Sequence, residues 1–167
     1  MGCGKSTIGR KLARRLSYDF VDTDELIVRA HGPIPEIFAN EGEAAFRSYE
    51  SQAVREALER EAESVIALGG GALTVTTNRR LLERYAHRVF IKASAGQILA
   101  RLRRSREVRP MLGATPTLAS IGELYARRMP QYLSADHVVE TEGKRAGDVI
   151  EEAIAWLRLR QARSADT

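Results

Sequence analysis

Gly2-Cys3-Gly4-Lys5-Ser6-Thr7 stands near the start of the chain, and Ile8, Leu12 and Leu16 follow it at helical spacing. A glycine turn running into an amphipathic helix is the closing part of the pattern G-x-x-x-x-G-K-[ST]. Its glycines let the backbone curl until N–H groups converge, and the helix adds the positive end of its dipole, which suits phosphate. Lys5 is placed to reach the β- and γ-phosphates of a nucleotide and the Ser6 hydroxyl to hold Mg²⁺, with Gly2, Cys3, Gly4 and Thr7 completing the cradle. The first glycine of the pattern falls one place before Met1, and the strand that usually feeds such a loop is not among these residues. The chain is therefore expected to begin inside its own motif. About ten or more upstream residues of strand pattern should then add stability and ATP affinity.

Beyond the loop, short apolar runs alternate with helical periodicity. Phe20-Val21, Ser64 to Leu68, Val89-Phe90-Ile91 and His137-Val138-Val139 read as strands. A long helix is expected from about Glu41 to Glu63. A last one carries Val149, Ile150, Ala153, Ile154 and Leu157 on one face. Strands separated by helices predict an α/β fold with a central parallel sheet covered on both faces, where ligands gather at the carboxyl ends of the strands. The length of 167 residues suits one domain spanning 1–167.

Composition excludes several classes. No apolar run approaches the roughly 20 residues that span a bilayer, and no signal-peptide pattern opens the chain, so a cytoplasmic protein without a membrane partner is expected. Cys3 is the one cysteine, so no intrachain disulfide forms, and His31, His87 and His137 are scattered without a metal-ligand spacing. Net charge is +4, densest over Arg101, Arg103, Arg104, Arg106 and Arg109. With few aromatics beside it, this cluster suits a nucleotide triphosphate better than a nucleic acid.

Four further segments carry chemistry. Asp22-Thr23-Asp24 follows a strand and opens a helix. Its two carboxylates, two residues apart, can cap the helix or divide metal holding and proton acceptance between them. Gly69-Gly70-Gly71 follows another strand. Arg109-Pro110-Met111-Leu112 lies in a stretch of weak periodicity reaching about Ala119, which suits a lid. Arg47 on the long helix has Glu43 and Glu50 within reach, and Arg127-Arg128 reads as dipole compensation at a helix end.

Taken in order, Gly4-Lys5-Ser6-Thr7, Asp22-Thr23-Asp24, Phe46-Arg47 with Glu50, Gly69-Gly70-Gly71, Arg109-Pro110 with Leu112, and Arg127-Arg128 with Pro130 and Tyr132 resemble the shikimate kinase family from residue 1 to about 141. Gly32 to Phe38 and Gly42-Glu43 fit the same resemblance. It implies a P-loop fold of the nucleoside-monophosphate-kinase type, with a substrate region at about 24–63 and a lid at about 105–119. It further implies transfer of the ATP γ-phosphate to the 3-hydroxyl of shikimate, on the route to chorismate, by a monomer. By the same resemblance Asp24 binds shikimate and serves as base, and Asp22 acts on the metal side with Ser6. Arg47 and Arg128 clamp the substrate carboxylate, Gly69 to Gly71 line its ring, and Arg109 swings towards the transferring phosphate and the nucleotide. An arginine near adenine is also implied, and Leu102 stands where it would fall, between Arg101 and Arg103. The family's central strand is the one missing here, so a gap of about 10 Å is expected in the sheet. Another small-molecule kinase, such as a gluconate kinase, and a truncated inactive relative are the alternatives.

Overall fold

The computed structural model describes residues 2–104, 110–112 and 115–165. Helix α1 (Lys5–Leu16) leads into β1 (Asp19–Asp22), α2 (Thr23–His31), α3 (Ile34–Asn40) and α4 (Gly42–Leu58). Then come β2 (Ser64–Ala67), α5 (Thr76–Tyr85), β3 (Val89–Lys92), α6 (Ala95–Arg104), α7 (Leu118–Leu133), β4 (His137–Glu140) and α8 (Ala146–Ala165). The four expected strands all form, and their pairing is parallel. Phe20 stands opposite Val65 and Val21 opposite Ile66, while Phe90 stands opposite Val138 and Ile91 opposite Val139.

The strands make two pairs rather than one sheet, β1 with β2 and β3 with β4. The strand ending near Val21 thus keeps its ladder partner, and the break in hydrogen bonding lies between β2 and β3. A cavity of about 650 Å³ occupies that break.

Local chemistry sets the helix boundaries. Asp22 caps α2 by accepting from the Asp24 amide, and Thr117 and Ser120 form a reciprocal capping box that starts α7 at Leu118. Helix α4 stops at Leu58 instead of Glu63, because the chain needs Glu59 to Glu63 to turn back into β2.

The amphipathic face of α1 does what its spacing predicts. Ile8 and Leu12 pack with Val149, Ile150, Ala153 and Ile154 of α8 over Val139. Each such side chain contributes about 1.5–3 kcal/mol on burial. A second cluster, Ile27, Ile37, Phe46 and Ala53, fixes α2, α3 and α4 against one another. A third joins Cys3 to Ile98, Leu102, Leu112, Ile121 and Leu124, seating the phosphate loop on α6 and α7.

Gly9 is where α1 touches the sheet. A Cβ there would lie 2.8 Å from the Phe20 ring. Gly9→Val should destabilise the chain by about 1–3 kcal/mol through overpacking. A thermal melt checks this, with an expected fall in Tm of about 2–4 °C per kcal/mol.

Candidate active site

The loop before α1 curls at Gly4, whose φ of 90° and ψ of 20° lie in the left-handed region that glycine adopts freely. From there the Gly4 carbonyl accepts the Ile8 amide at 2.9 Å and the helix begins. Cys3 is buried in the cluster with Ile98 and Leu102. Its backbone carbonyl accepts from Nη1 of Arg101 at 2.6 Å. Arg101 also lies near Gly4, 3.8 Å from where a Cβ would stand. Leu102, the position the resemblance singles out near adenine, is instead buried beneath Gly2. The residue from this part of α6 that reaches the loop is Arg101.

Ser6, in the first turn of α1, donates its hydroxyl to Asp22 Oδ2 at 2.6 Å. The other oxygen, Oδ1, accepts the Asp24 amide at 3.0 Å. The two expected metal-side residues therefore touch. A hydroxyl oxygen and a carboxylate oxygen are hard donors of the kind Mg²⁺ takes alongside phosphate, so the pair fits that ion. Among the described residues no group of three or more His, Cys, Asp or Glu side chains could hold a metal. Mg²⁺ at such a site would take its remaining ligands from phosphate oxygens and water.

The other end of Asp22-Thr23-Asp24 meets the triple glycine. Thr23 is fully buried, and its Oγ1 accepts the Gly69 amide at 2.9 Å while donating to the Ala67 carbonyl at 3.3 Å. A Cβ on Gly69 would lie 2.8 Å from Asp24 Oδ1 and 2.6 Å from Glu50 Oε1. A Cβ on Gly71 would lie only 2.0 Å from Arg47 Nη1. Bare backbone at these two positions is what lets the charged groups close in. Arg128, 7% exposed, donates from Nη1 to the Gly70 carbonyl at 3.0 Å, and the Tyr132 hydroxyl donates to the same oxygen at 2.6 Å. Arg128 is therefore not a helix-end charge, because α7 runs on through Pro130 to Leu133.

Arg47 pairs with Glu50 at 2.6 Å and with Glu43 at 3.0 Å. Burial works against its charge, but the two carboxylates outweigh burial and hold its pKa above the ordinary arginine value. Glu50 does more than the pairing with Arg47 that the sequence suggests. It is 1% exposed, and its Oε1 has no hydrogen-bond partner among the described residues. Burial pushes its carboxyl above the usual range, opposed by Arg47 and raised further by the nearby Asp24 charge.

The structure thus brings Asp24, Arg47, Gly69 to Gly71 and Arg128 together at one end of Asp22-Thr23-Asp24, and Ser6 at the other. Lys5 stands with them at the start of α1. Arg109 and the neighbouring part of the expected lid, residues 105–109 and 113–114, lie outside the described residues.

A phosphate-holding loop and an anion-holding recess, joined through three residues of one helix start, place the chain among the P-loop kinases of small molecules. A model of the shikimate kinase family matches residues 1–158. The shikimate kinase of Geobacter sulfurreducens is 42% identical over 162 residues, covering 96% of this chain and 88% of that one. That of Nitrobacter winogradskyi is 41% identical, covering 100% and 78%. A solved shikimate kinase from Acinetobacter baumannii in complex with shikimate superposes with a TM-score of 0.89 at 33% identity, over 96% of this chain and 89% of that one. One from Bacteroides thetaiotaomicron gives 0.86 at 29% identity, over 95% and 94%. The chain belongs to the shikimate kinase family. It is accordingly an ATP-dependent enzyme that transfers phosphate to an alcohol group.

The Arg47–Glu50 pair generates a pH-dependent expectation. Removing one partner of a buried pair costs about 3–5 kcal/mol. The folded-state pKa of Glu50 is raised above its ordinary 4.5. Its contribution to stability is therefore fully present below that value and is lost as pH rises through the folded value. Arg47→Ala should be most destabilised at pH 8 and less so at pH 5, and Glu50→Gln in the same chain should recover much of the loss. Urea melts at both pH values check this, and an equal deficit at each would contradict it.

Proposed function

We propose that the chain transfers the γ-phosphate of ATP to the 3-hydroxyl of shikimate. The observation that carries this reading is the convergence of Arg47 on Gly71 and Arg128 on Gly70, with Asp24 against the neighbouring Gly69. Two guanidinium groups over side-chain-free backbone suit a substrate that bears a carboxylate, because the fork of arginine matches two carboxylate oxygens. Asp24 sits where it can accept hydrogen bonds from ring hydroxyls and take the proton of the attacking one. That proton leaves the oxygen as the new O–P bond forms and the bond to the departing ADP oxygen breaks.

On the nucleotide side the backbone of Gly2 to Gly4, the start of α1 and Lys5 hold the phosphates, and Arg101 braces the loop through the Cys3 carbonyl. Ser6 and Asp22 would hold Mg²⁺, which when bound neutralises phosphate charge. Arg109 would bring a further positive charge to the transferring group. We assign the substrate region to about 24–63 and the lid to about 105–119, in a cytoplasmic enzyme acting as a monomer. No helix among the described residues is long and apolar enough to cross a membrane.

A coupled assay with ATP, Mg²⁺ and a panel of shikimate, gluconate and nucleoside monophosphates tests the reading. Phosphorylation of shikimate alone is expected, and turnover of gluconate or a nucleotide in its place would overturn it. Arg128→Ala should raise KM for shikimate by about 10–150-fold, the equivalent of about 1.5–3 kcal/mol for a charge-assisted pair, with KM for ATP little changed. Asp24→Asn should lower kcat by about 10²–10⁴-fold while the melting curve stays near that of the parent. Steady-state kinetics for each substrate separate these two effects.

A further inference from the structure

The parallel ladder of β1 and β2 ends at the pair Asp22 and Ala67. Beyond it the two segments part, one into α2 at Thr23 and the other into Gly69-Gly70-Gly71. Counting on from the Asp19 amide on the Glu63 carbonyl, the alternation of a parallel ladder brings the Gly69 amide opposite the Thr23 carbonyl. Thr23 is the first residue of α2, so its carbonyl is turned along the helix. Its hydroxyl takes the amide instead, accepting from Gly69 at 2.9 Å and donating to the Ala67 carbonyl at 3.3 Å. The side chain thus carries the ladder one step further than the backbone does. Threonine hydroxyls at helix starts usually bond backbone a few residues away. This one reaches across 46 and 44 residues.

The acceptor recess stands on that step. Gly69 lies against Asp24, since a Cβ there would come within 2.8 Å of Asp24 Oδ1. Asp24 directly follows Thr23, so one residue holds both sides of this approach. The Gly70 carbonyl receives Arg128 and Tyr132, and Gly71 faces Arg47. The far end of the glycine run is fixed from α5, where the fully buried Asn78 donates to the Ala72 carbonyl at 3.1 Å. Thr23 is 0% exposed, so solvent does not readily replace its hydroxyl.

We propose that Thr23 is a positioning residue for the acceptor: its hydroxyl sets the three glycines against Asp24, and so fixes how far the attacking hydroxyl lies from the base while the substrate carboxylate is held. This role presupposes the assignment of shikimate to the recess.

Thr23→Val and Thr23→Ser, each compared with the parent chain, test it. Valine keeps the branched shape and the helix propensity of threonine but leaves the Gly69 amide without its acceptor. Its kcat/KM for shikimate should fall about 10–100-fold, with KM for ATP within about twofold of the parent. Amide exchange at Gly69 should quicken by about tenfold or more, while exchange at Val65 and Ala67 in the ladder stays as in the parent. Serine keeps the hydroxyl and should recover most of the lost kcat/KM. Parent-like kcat/KM and Gly69 exchange in the valine variant would overturn the role, and so would equal losses towards shikimate and ATP. If the valine variant does not fold, serine carries the test, and a folded serine variant impaired by about tenfold or more would overturn it too. A parent that phosphorylates another alcohol and not shikimate would overturn the function reading and this role with it, whereas the outcomes in the variants overturn this role alone.

Discussion

Asp22 ends β1, and its carboxylate holds the Ser6 hydroxyl on one oxygen and the Asp24 amide on the other. The first bond fixes the start of α1 to the end of a strand. The second caps α2 and sets the direction in which Asp24 leaves the sheet. Because Asp22 is nearly buried, with 8% exposure, neither bond is easily exchanged for water. The spacing between the phosphate end and the acceptor end of the site therefore rests on one short side chain. Phosphoryl transfer depends more on positioning than on covalent help, and a brace of this length limits how far the two ends can drift.

The acceptor end is built on a different principle, the burial of charge in alternating sign. Glu43, Arg47 and Glu50 alternate along α4, and Arg128 and Asp24 enter from α7 and α2. Glu50 and Arg128 are buried there, and one oxygen of Glu50 has no hydrogen-bond partner among the described residues. Buried ion pairs of this kind add little net stability, because desolvation offsets most of their attraction. What the pair does is orient: Glu50 holds Arg47 over Gly71 and leaves the guanidinium little freedom.

Much of this was legible in the sequence because its signals are local. The loop glycine, the period of Ile8 and Leu12 and the four apolar strands each declare themselves within a few residues. The acceptor end was legible only through the order of its motifs, since Arg47, Arg128 and the glycines each have an ordinary explanation when read alone. What escaped depends on rotation and burial. The resemblance implies an arginine near adenine without fixing which one. Neighbouring helix residues point about 100° apart, so Leu102 turns into the core while Arg101 reaches the Cys3 carbonyl. Glu50 looks like any helical carboxylate until α2, α4 and α7 close round it. The end of α4 at Leu58 was likewise set by the path of the chain into β2, which periodicity does not record.

The bare backbone at Gly69 and Gly71 has a consequence for descent. Every amino-acid replacement at either position adds a carbon where Asp24, Glu50 or Arg47 now stands. Those neighbours are the tips of side chains, one of them the buried Glu50 paired to Arg47, so an added carbon would press the charges apart before it met main chain. A single codon change at one of these two places would thus fall first on the charge arrangement of the recess. A lineage that accepted it would have to rebuild that arrangement around the new side chain.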